Sequence, residues 1–98
     1  MAIGIVMQFD GLHQQKYDAI MKELGLPLHS NGGGLWPEGI ISHTAGNTPN
    51  GWCVVDTWQS EALFGKFLEG RLKPAFGKVG GLPEPKVFTF EIYNKFPV

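Results

Sequence analysis

The chain has 98 residues, a mass of 10.8 kDa, eight basic and nine acidic side chains, and a net charge of -1. That length suits one domain, residues 1–98, burying roughly 60–70% of its unfolded surface. A hydrophobic content of 43% with 12% aromatics excludes a disordered chain, the near-neutral charge disfavours nucleic acid and anionic membranes as partners, and a single cysteine excludes an internal disulfide framework.

Residues 2–9 are rich in apolar and β-branched types and predict a buried strand. The apolar start lacks a basic segment and ends at Gln8, far short of the roughly 20 residues that span a bilayer, so it reads as a strand rather than a signal peptide. With the lone Cys53, this places the expected location in the cytoplasm. From His13 the period changes. Tyr17, Ile20, Met21 and Leu24 make one helical stripe, which predicts a helix over 12–24 with Asp10 as its cap and Gly25 and Pro27 as its stop. Residues 25–38 read as a loop in which Trp36 follows the glycine triplet Gly32–Gly34 and serves as a lid or as a plug.

Residues 39–45 return to strand character, with Ile41, His43 and Ala45 on one face and Ile40, Ser42 and Thr44 on the other. Gly46–Gly51 is turn chemistry, predicting a hairpin closed by a loop of about five residues. Trp52–Trp58 is the clearest strand, with Trp52, Val54, Asp56 and Trp58 sharing a face. Ser60 suits an N-cap, and Leu63, Phe64, Phe67, Leu68 and Leu72 form a second helical stripe. Pro74 interrupts that helix and can start a short extra turn with Ala75 and Phe76. Residues 86–93 alternate as a last strand, with Phe88, Phe90 and Ile92 on one face.

The order β-α-β-β-α-β predicts an α+β, ferredoxin-like domain: a four-stranded antiparallel sheet with both helices on one face. The first strand and the hairpin carry apolar residues on both faces, so the open face calls for a partner, and a second copy of the chain is the simplest one.

The stretch Gly51–Ala62, supported by Gly39–His43 and by Leu72 with Pro74-Ala75, resembles the dimeric α+β barrel superfamily. Within it the chain is most similar, over essentially its whole length, to small proteins related to the antibiotic-biosynthesis monooxygenases. The resemblance implies a dimeric α+β barrel of two ferredoxin-like subunits packed sheet to sheet, each with a pocket between sheet and helices. It also implies oxidation of aromatic, polyketide-like substrates without metal, flavin or haem. The superfamily also holds isomerases, cyclases, haem-degrading enzymes and non-enzymatic binders, so fold alone does not set the reaction. The haem-degrading and cyclase branches place a histidine late in the chain, and His13, His29 and His43 all precede the second helix.

His43 is the candidate acid/base, since imidazole ionises closest to neutral working pH; a core histidine bonded to backbone or carboxylate is the structural alternative. Trp36, Trp58, Tyr17, His13 and Asp56 are candidates for binding substrate. Flat rings suit flat ligands but equally suit packing. Asp56 can orient His43 or pair with a lysine or Arg71, and Cys53 has no motif that would make it a nucleophile. No phosphate loop, dinucleotide fingerprint or zinc spacing occurs, so neither cofactor nor metal is expected. The expected function is a homodimer that binds a small apolar or aromatic molecule, acting as a cofactor-independent monooxygenase; the alternative is a non-catalytic ligand-binding or structural dimer.

Overall fold

The β-branched and apolar run at the start of the chain forms β1, Ile3–Asp10, in the computed structural model, which describes residues 1–27 and 35–97. It lies at the centre of a four-stranded antiparallel sheet between β3, Gly51–Trp58, and β4, Lys86–Glu91, with β2, Ile40–Thr48, on the outer side of β3. The spatial order β2-β3-β1-β4 is the ferredoxin-like arrangement expected from the element order.

Strand alternation decides which side chains meet the helices. Ile3, Ile5, Met7 and Phe9 of β1 and Trp52, Val54, Asp56 and Trp58 of β3 are buried on one face. Helix α1, Gln14–Leu24, presents Ile20, Met21 and Leu24 to them; α2, Glu61–Phe67, presents Phe64 and Phe67. Each fully buried side chain of this class contributes roughly 1.5–3 kcal/mol. Two long cations tie the helical layer together. Arg71 donates from Nη2 to the Leu24 carbonyl (2.8 Å), and Lys16 Nζ donates to the Gly80 carbonyl (3.0 Å).

Ser60 caps α2 as expected, its Oγ accepting from the Leu63 N–H at 3.2 Å, and Gly25 ends α1 in the left-handed conformation with φ 74°. Asp10 does not cap α1. That helix starts at Gln14 with His13 in the cap position and no side-chain cap; Asp10 instead pairs with Lys86 Nζ (3.0 Å), which holds its carboxyl below the usual value. Strand β2 runs on to Thr48, so the hairpin closes through Pro49 and Asn50 alone rather than through about five residues. A bulge between Ile40 and Ser42 breaks the predicted alternation. Ile40 packs on the core while Ile41 is left exposed. Pro74 stands in the first turn of a short helix that holds Ala75 and Phe76, as expected, but the helical path is not broken ahead of it. A π-helical turn, Leu68–Leu72, carries α2 into α3, Lys73–Val79. The last strand ends at Glu91 rather than at residue 93.

The register puts Gly4, Val6, Phe88, Phe90, Val55 and Thr57 on the face away from the helices. Phe88 is 61% and Phe90 49% exposed there, and the Phe90 ring lies over Gly4, where a Cβ would strike it. A Cβ at Gly51 would strike the Phe9 carbonyl and come within 2.7 Å of the Gly11 nitrogen, both backbone atoms that cannot turn aside. At Gly46 a Cβ meets nothing within 4 Å. Gly51→Ala is therefore expected to lower stability by about 1–3 kcal/mol, while Gly46→Ala stays within about 0.5 kcal/mol of the parent. Urea unfolding midpoints of the two variants check the contrast.

Candidate functional site

Asp56 stands in the middle of β3 on the helix-facing side and is 7% exposed. The antiparallel register sets His43 of β2 directly opposite it. The His43 Nδ1 to Asp56 Oδ1 distance is 2.7 Å, and the Trp58 indole donates from Nε1 to Asp56 Oδ2 at 3.2 Å. A carboxylate accepts only, so it takes the Nδ1–H of His43 and leaves the Nε2 lone pair on the other side of the ring. Tyr17 Oη lies 2.6 Å from that Nε2. The Tyr17 phenol thus donates to His43, which donates to Asp56, which also accepts from Trp58.

The Tyr17 phenol is pushed up to about 12 from 10.0, first by burial and then by the charges of Asp56 and Asp18. The proton stays on oxygen throughout the neutral range, which keeps Tyr17 a donor. Aromatic rings enclose the pair. The Tyr17 ring is stacked parallel to His43 at 6.3 Å, Trp36 lies 5.4 Å from His43, and Trp52 lies 5.0 Å from Tyr17.

These groups line a cleft of about 780 Å³ between α1 and β2, whose wall includes Tyr17, Trp36, His43 and Trp52 together with Gln14 and Ser42. Its lining is divided about evenly between apolar surface and the polar groups of residues such as Gln14, Asp18, Ser42, His43 and Thr44. The Trp52 Nε1–H is buried with no partner among the described residues.

Of the residues singled out from the sequence, the structure brings Tyr17, His43, Asp56 and Trp36 together. Trp58 is fully buried beneath Asp56 between Phe64 and Phe67 and does not line the cleft; it touches the site only through its indole N–H. His13, one turn before Tyr17, is exposed at the start of α1 and outside the cleft wall. Asp56 pairs with His43 and not with Arg71, which is engaged with Leu24. Trp52, not among the residues expected to bind substrate, also lines the cleft. Its place on the same strand face as Asp56 was the available signal. The glycine triplet beside Trp36 lies outside the described residues. Among the described residues, no three His, Cys, Asp or Glu side chains converge to hold a metal ion, and no helix is long and apolar enough to cross a membrane.

No protein-family model and no curated protein matches this sequence. The fold does match solved structures. SnoaB, a cofactor-independent oxygenase from Streptomyces nogalater, is similar with a TM-score of 0.68 at 13% identity, over 99% of this chain and 98% of its own. A protein from Chloroflexus aurantiacus that carries the name antibiotic biosynthesis monooxygenase is similar with a TM-score of 0.57 at 13% identity, over 97% and 98% of the two chains. At that identity the likeness defines the fold alone, the ferredoxin-like α+β domain expected from the sequence.

Only two tyrosines occur, so a Tyr93→Phe variant leaves Tyr17 as the one phenol to follow by ultraviolet absorbance. Tyr17 is expected to ionise near pH 12, and Asp56→Asn is expected to move it back toward 10.0. Because the folded value is raised, the stability that Tyr17 contributes is fully present below pH 10.0 and is lost as the pH rises through about 12.

Proposed function

We propose that the chain is a homodimer that binds a small, flat, weakly acidic aromatic molecule and oxygenates it without a cofactor. The relay Asp56–His43–Tyr17 at the wall of the cleft carries this reading. Its end facing the cleft offers a proton acceptor backed by a buried carboxylate, and the surrounding rings suit a flat ligand. The oxygenase activity stated for SnoaB supports the same direction.

In this reading the Tyr17 oxygen receives the substrate proton while its own passes to His43 Nε2. Asp56 stabilises the imidazolium that forms, as an orienting carboxylate does beside a catalytic histidine. The substrate carbanion then reduces dioxygen. A carbon–oxygen bond forms, the resulting hydroperoxide loses water, and the reacting methylene becomes a carbonyl. One oxygen atom stays on carbon and the other leaves as water with the proton returned by His43, so all electrons come from the substrate. Trp58 is a positioning residue, holding Asp56 from below. A ligand oxygen reaching the Trp52 edge of the cleft would satisfy its indole N–H.

Oxygen uptake with anthrone- and naphthol-like compounds tests the activity. His43→Gln, whose amide can still donate to Asp56, is expected to lose about 10²–10⁴-fold in turnover. The resting Nε2 is already engaged by Tyr17, which favours a second reading, a non-catalytic binder. Saturable quenching of tryptophan fluorescence without oxygen uptake would establish that reading instead.

A second copy packed on the open sheet face would cover Val6, Val55, Phe88 and Phe90. Light scattering at micromolar concentration is expected to give twice 10.8 kDa, and Val55→Glu is expected to shift the protein to monomer. A parent protein that scatters as a monomer overturns the dimer.

A further inference from the structure

Beneath the cleft, between the sheet and the helices, lies a second cavity of about 60 Å³. Tyr17, Met21, Trp36, Ile40 and His43 line both spaces and so form the wall between them. Behind that wall the lining is almost wholly carbon, with Ile20, Leu24 and Val54 among its members. Its polar members Tyr17, His43 and Asp56 are hydrogen-bonded to one another. A buried water needs two to four polar partners, and only about 10–15 Å³ of such space, so room is ample here but partners are lacking. Cavities that take a benzene ring are larger, on the order of 150 Å³. The space therefore fits an apolar molecule of two or three heavy atoms and excludes the aromatic substrate.

We infer that this cavity holds dioxygen and delivers it to the reacting carbon across the wall formed by Met21, Trp36 and Ile40. The choice of ligand rests on the oxygenase reading; the existence of a gas site does not. Its position gives the two reactants separate compartments on either side of the same base. The aromatic molecule enters the wide cleft, while the oxidant partitions into a dry pocket that water does not contest. Met21, an unbranched and adaptable side chain, is the part of the wall that yields most readily.

Xenon is the probe, being apolar, of similar size and visible through its effect on methyl resonances. Under xenon pressure, methyl NMR of the whole protein is expected to show saturable shifts at Ile20, Leu24 and Val54. Shifts that are absent, or that grow linearly over the whole surface, overturn the inference. Val54 lines the small cavity and not the cleft, so Val54→Ile fills the one without touching the other. It is expected to abolish the xenon shifts and to raise the apparent KM for dioxygen several-fold, with the KM for the aromatic compound unchanged. Ile20→Phe provides a second filling variant if the first does not fold. Persistence of the xenon shifts in a folded filling variant overturns the assignment of the site. Saturable xenon binding without oxygen uptake from any compound defeats the oxygenase reading and leaves the gas site standing. Oxygen uptake without xenon binding defeats the gas site and spares the oxygenase.

Discussion

A carboxylate in the middle of a buried strand face is the constraint around which the site is built. Asp56 sits where every alternate neighbour on β3 is apolar, and leaving such a group without donors would cost several kcal/mol. Two donors meet the need, one from its own strand and one from the next. Trp58 reaches back two residues along the same face, so its large ring is held at a defined height, where Phe64 and Phe67 close around it. His43 comes from β2 at the directly opposed position, and its bond to a charged acceptor is worth about 1.5–3 kcal/mol. The imidazole is thereby oriented edge-on to α1, where Tyr17 meets it. Three residues from three elements are placed by one buried charge.

That dependence explains which parts of the site were legible in the sequence. The alternation of β3 puts Asp56 and Trp58 on one face without any knowledge of the fold, and the stripe of α1 puts Tyr17 toward the sheet. The contact between Asp56 and His43 needs the hairpin register as well. Six consecutive residues from Gly46 to Gly51 all favour turns, so composition leaves the position of the chain reversal open. Strand pairing selects Pro49 and Asn50, and with that choice His43 falls opposite Asp56; a shift by one residue would carry the imidazole to the other face. Whether Trp58 turned to a ligand or to the core was likewise a matter of helix packing. His13 is the cap residue before the helix that carries Tyr17, and there the chain turns its neighbour Leu12 into the core and leaves the imidazole exposed.

The same distinction holds for the fold. Features set by neighbouring residues were readable, such as the Ser60 cap and the Gly25 stop. Features that depend on distant partners were not. Asp10 had the chemistry of a cap but found Lys86 on the adjacent strand. The bulge at Ile41 leaves no mark in composition. It lets Ile40 join the core while His43 and Ala45 keep their inward positions, a combination that strict alternation forbids.

The π-helical turn Leu68–Leu72 bears on how this chain can change length. Its Lys73 N–H reaches back five residues to the Leu68 carbonyl, so the turn carries one residue more than an α-helix would place there. A descendant lacking one residue in that stretch would still be helical. Everything after the deletion would then be rotated by about 100° relative to the sheet, turning Ala75 away from the core and Phe76 away from Phe9. Single-residue insertions and deletions among descendants should accordingly gather in the segments that flank the helices and spare this turn. A chain that did lose a residue here would have to rebuild the floor of its inner cavity, because Leu72 and Phe76 both belong to it.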